Sequence, residues 1–167
     1  PALFDGADQT ILAWKAPDVA PALARAEAAR AAGGWIAGYV GYEVGYALEP
    51  RLSAFMPAKR TGPLLALGVF ARPLSAEAVL AQAAAEGLAT AMTAPEPAIT
   101  RDDYDAAMAL VLAYIAAGDC YQVNLTFPMA ARLVRGTPLG LYGAFRRTGP
   151  VGHGAYVDLG TGPVVVS

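Results

Sequence analysis

A single cysteine, Cys120, and a single histidine, His153, are all that the 167 residues contain of the two side chains that build most structural zinc sites. One thiol excludes an internal disulfide, and one thiol with one imidazole falls short of the four strong ligands of a structural zinc site. Charge is also sparse: 12 Lys+Arg against 14 Asp+Glu leave a formal net charge of -2, and the arginines are scattered. A nucleic-acid partner is therefore not expected, because such modules neutralise phosphates with a basic stripe. Gly, Pro or a charge interrupts every apolar run before it reaches the roughly 20 residues of a membrane helix, so no membrane partner is expected. No N-terminal order of basic, apolar and small residues marks a secretory signal, and with one free thiol the expected location is a reducing cytoplasm. Gly-Lys-Ser/Thr does not occur, which excludes a phosphate-cradling loop of that type.

What is abundant is apolar material. Hydrophobic residues make up 56% of the chain, enough to fill a core, and 18 glycines and 13 prolines punctuate it into short elements. Asp18 to Ala32, closed by Gly33-Gly34, predicts a helix, and Trp35 to Tyr42 and Leu64 to Phe70 predict strands. Ser75 is expected to cap a helix running to Ala85 and ended by Gly87, and Met92 to Pro97 is expected to be a loop. Thr100-Arg101-Asp102-Asp103 places a capping hydroxyl three residues before a carboxylate. Tyr104, Met108, Val111, Leu112 and Ile115 then form an apolar stripe up to a stop at Gly118. Thr137-Pro138 opens another helix through Arg146, and two strands, Ala155 to Leu159 and Val164 onward, flank a Gly-Thr-Gly turn. Strands and helices mix without strict alternation, which predicts an α+β fold with antiparallel sheets packed with helices. Pro1 in place of Met, and the apolar run Val164-Val165-Val166 at the other end, read as a segment of a longer chain.

Between the Gly118 stop and Pro128, the apolar residues Tyr121, Val123, Leu125 and Phe127 alternate with Gln122, Asn124 and Thr126. Period 2 predicts a strand with a buried apolar face and a row of neutral hydrogen-bonding groups opposite. Those three polar residues are the first site candidates. Cys120 reads as a small buried or half-buried thiol after the helix stop rather than as a nucleophile. Glu43, a lone carboxylate beside aromatic residues, reads either as an arginine partner or as an acid with a raised pKa.

Tyr114-Ile115-Ala116-Ala117-Gly118-Asp119-Cys120-Tyr121-Gln122-Val123-Asn124-Leu125 resembles the "YI..GD.YQVNLS" motif of the chorismate-utilising enzymes, with Thr126 in place of the serine. Gly34 to Glu43 is similar to that family's "GG..GYLGYE" run, Gly149-Pro150 through Val157 to its "NP.PY.AYL" segment, and Val165-Val166-Ser167 to the start of its "V.SSSPE.F" strand. The resemblance spans nearly the whole chain. It implies that residues 1–98 form the amino-terminal region of a component I subunit and residues 99–167 the start of its chorismate-binding catalytic region. Tyr42 to Pro50 is most similar to the aminodeoxychorismate synthases of the para-aminobenzoate and folate branch, with anthranilate synthase component I the close alternative. Relatives that add water carry a lysine base at the position matching Gln122, and an amide cannot take a proton as lysine does.

The resemblance further implies that Gln122, Asn124 and Thr126 face the substrate, that chorismate is that substrate, and that a glutamine amidotransferase subunit or domain supplies ammonia. A Mg2+ ion would assist loss of the C4 hydroxyl, held by oxygen ligands beyond residue 167. The 167 residues alone are accordingly expected to be inactive. Related enzymes also form an amino-acid effector pocket for tryptophan, implying the candidates Phe4, Asp5, Pro150, His153 and Tyr156. Here Leu3-Phe4-Asp5-Gly6 lacks the family's serine, and Gly149, Gly152 and His153 replace its asparagine, second proline and tyrosine. A different class of reading is a non-catalytic domain that binds an amino acid or docks the amidotransferase.

Overall fold

Side-chain and backbone caps fix most helix boundaries in the computed structural model, which describes residues 1–149 and 152–166. Strands β1 (Ala2–Leu3) and β2 (Gln9–Ala13) lead into helix α1 (Ala16–Ala31). The Lys15 N–H donates to the Asp18 carboxylate at 3.2 Å. At the other end, Gly33 N–H to Arg30 O and Gly34 N–H to Ala29 O, both 3.0 Å, satisfy carbonyls that the helix leaves open. Strand β3 (Trp35–Val40), helix α2 (Val44–Leu48), a 3-10 turn at Pro50–Phe55 and strand β4 (Leu65–Phe70) follow.

Strands β2, β4 and β3 form an antiparallel sheet in that order, with Ile11 and Gly38 both opposite Leu67. Ile11, Leu64, Leu65 and Val19 are fully buried where α1 and α2 cover one face of this sheet. Each such side chain stabilises the fold by about 1.5 to 3 kcal/mol relative to exposure. Gly38 explains its own place in an apolar strand: its φ is +153°, and a Cβ there would lie 2.1 Å from the Ala66 carbonyl oxygen. Only glycine fits that close approach.

Strand β5 (Leu74–Ser75) pairs with β1 and runs into helix α3 (Glu77–Gly87). Ala76, rather than Ser75, stands at the N-cap, and the Ser75 hydroxyl accepts only a long bond of 3.4 Å from Glu77 N–H. Strands β6 (Ala91–Met92) and β7 (Glu96–Pro97) occupy the stretch expected to be a loop, then helix α4 (Arg101–Ala117) begins. Beyond it lie strands β8 (Met129–Ala130) and β9 (Leu133–Arg135), helix α5 (Pro138–Thr148), and the hairpin β10 (Ala155–Val157) and β11 (Val164–Val166). β6 pairs with β9 and β7 with β8, so two short antiparallel ladders tie residues 91–97 to 129–135. The α+β class with antiparallel sheets is what the sequence predicts.

Helix α5 is seated on α3 in backbone contact. A Cβ on Gly143 would lie 1.9 Å from the Ala83 carbonyl oxygen, and one on Gly87 2.8 Å from the Ala144 nitrogen. Thr137 caps α5 by accepting from Gly140 N–H at 2.9 Å, and its hydroxyl also donates to the Glu86 carboxylate of α3.

Helix α4 has the ends the sequence predicts but not the burial. Thr100 accepts from Asp103 N–H at 3.1 Å and donates to the Asp103 carboxylate at 2.7 Å, and Gly118 ends the helix at φ +81°. None of its residues is buried; Leu112 is 59% exposed. The following segment departs further: residues 119–128 join no sheet among the described residues, and Tyr121 is 93% exposed. The expected two-faced strand is therefore corrected to an irregular segment. Alternation makes a strand only where another backbone supplies the ladder bonds, and no neighbour does so here.

Candidate functional site

A broad concavity lies on the face of the sheet away from α1. It is a cleft of about 530 Å³, walled by Phe4, by Leu67 and Phe70 of β4, by Leu80 of α3, by Tyr142 and Arg146 of α5, and by Tyr156 of β10. Its floor is aromatic. The Phe4 ring lies 5.3 Å from that of Phe70, and Tyr142 lies 6.3 Å from Tyr156, distances at which tilted rings attract. β4 reaches the site through Phe70, which alternation places on the face opposite the core residues Leu65 and Leu67, and the α3 and α5 glycine contacts bring Tyr142 close behind it.

One cation reaches the rim. The Arg146 guanidinium carbon is 5.6 Å from the Tyr142 ring centroid, and its Nη1 donates to the Tyr142 hydroxyl at 3.4 Å. Asp158 also contributes to the lining. Burial, then the Asp158 carboxylate, raises the Tyr156 phenol above its ordinary 10.0, so it stays protonated and able to donate. Rings for an apolar body, a guanidinium for a carboxylate and a carboxylate for an amine can together hold a small amphiphilic molecule.

The sequence-derived candidates divide. Phe4 and Tyr156 both line the cleft. Asp5 does not; its exposed carboxylate accepts from Gly6 N–H at 2.8 Å. His153 is exposed in a neighbouring depression with Pro1, Arg146 and Val166, and Pro150 lies outside the described residues. Gln122, Asn124 and Thr126 are exposed on the irregular segment and none lines the cleft. Cys120 is half-buried, and Glu43, at the start of α2, takes part in neither of the two ion pairs found among the described residues. Sequence reasoning missed Phe70, Tyr142 and Arg146. The spacing of four between Tyr142 and Arg146, on a well-capped helix, was the available signal for two of them.

Over residues 3–167 the sequence matches the profile of the chorismate binding enzymes. The chain belongs to that family. The match takes in the motif around Gly118 to Leu125, the Gly34 to Glu43 run and the Phe4 and Tyr156 walls of the cleft alike. No curated protein and no solved structure matches the chain. Membership in the chorismate binding enzymes assigns an enzyme family and chorismate as its common ligand. Among the described residues no helix is long and apolar enough to cross a membrane, and no three His, Cys, Asp or Glu side chains group as metal ligands.

Proposed function

We propose that the chain is part of an aminodeoxychorismate synthase component I, which replaces the C4 hydroxyl of chorismate by ammonia to give 4-amino-4-deoxychorismate and water. The observation that carries the amination is Gln122, an amide where water-adding relatives have lysine. Its side chain can hold ammonia or a substrate oxygen by hydrogen bonds but cannot deprotonate water. Asn124 and Thr126 would serve the same substrate face. The Tyr42 to Pro50 run favours the para-aminobenzoate branch over anthranilate synthesis. On this reading residues 1–98 belong to the amino-terminal region and residues 99–167 open the catalytic region, with a glutamine amidotransferase delivering the ammonia.

Among the described residues no three His, Cys, Asp or Glu side chains group to hold a Mg2+ ion. On this reading the ligands of the ion are expected beyond residue 167. The 167 residues by themselves are expected to turn over no chorismate, and measurable product from them would sink this division of labour. The test of the whole reading is product analysis of the full-length protein with chorismate, magnesium and ammonium, with and without an aminodeoxychorismate lyase. Lyase-dependent para-aminobenzoate is the expected result. Lyase-independent anthranilate would overturn the branch, and unchanged chorismate would overturn the amination.

The cleft supports a second reading of the same region, as a domain that binds an aromatic amino acid such as tryptophan and does no chemistry there. Phe4 and Tyr156 lining one cleft together with Arg146 is the observation that favours it. Calorimetry with tryptophan is expected to give binding that Phe4→Ala weakens; no heat with the unaltered chain would remove the reading.

A further inference from the structure

No further inference is drawn: the strongest candidate, the apolar surface that helix α4 and residues 121–127 leave exposed, carries none because nothing in the structure shows what covers it.

Discussion

Gln122 is exposed, so its replacement tests chemistry with little interference from folding. Gln122→Ala is expected to change stability by less than about 0.5 kcal/mol. Loss of one hydrogen bond to a reacting group should lower amination of chorismate about tenfold in the full-length protein. Gln122→Lys, which supplies the base of the water-adding relatives, should lower the ratio of aminated to hydroxylated product; unaltered amination in both variants would remove Gln122 from the site. Glu86 offers a test of a different kind. The Thr137 hydroxyl, and then the Gln82 amide, hold its carboxyl below the ordinary value of 4.5. A folded value below the unfolded one means that the carboxylate's contribution is complete above about pH 4.5 and disappears as the pH falls through the lower folded value. The stability difference between the wild type and Glu86→Gln, followed by thermal melting, should therefore shrink on acidification below that point. Thr137→Val removes both the bond to Glu86 and the cap on Gly140, and should cost about 1 kcal/mol at neutral pH.

At the level of elements, the α3 and α5 pair makes the sharpest prediction. Gly143→Ala would drive a methyl into the Ala83 carbonyl, which is backbone and cannot rotate away, so a loss of about 3 kcal/mol or more is expected from denaturant unfolding. Gly45→Ala, in α2 with open space around it, should instead be neutral or stabilise by about 0.5 to 1 kcal/mol. Equal effects of the two would mean that the helices do not cross in backbone contact. The same contrast explains what the sequence made legible. Thr100, Gly118, Thr137 and Gly33 act on neighbours within a few residues, so their helix ends can be read directly. The ladders β6 with β9 and β7 with β8 are two or three residues long and join segments more than 30 apart, leaving no periodicity to read. Residues 121–127 carry perfect alternation and still form no strand, because pairing depends on a neighbour that alternation does not supply. The cleft is half legible for the same reason: Phe4 and Tyr156 fall on family-like motifs, whereas Phe70, Tyr142 and Arg146 join them only through the packing of β4, α3 and α5.

Across the whole molecule, apolar surface is distributed unevenly. The sheet and α1 enclose a core with side chains such as Leu65 fully buried, yet α4 carries no charge from Ala106 to Ala117 and has no residue more than half-buried. A helix apolar on all sides belongs in an interior, and beside it Tyr121, Val123 and Phe127 add further exposed apolar area. Monomeric proteins seldom leave such contiguous patches open. A polypeptide of residues 1–167 is therefore expected to associate as its concentration rises in sedimentation velocity. Leu112→Glu combined with Tyr121→Ser should shift it toward monomer without lowering its melting temperature, since neither side chain is buried. Leu65→Ala should do the reverse, costing about 2 to 5 kcal/mol while leaving the association surface intact. A monodisperse wild-type monomer would show that the exposed α4 surface does not drive contact. If the paired substitutions instead lowered stability as Leu65→Ala does, α4 would have to be packed within the chain.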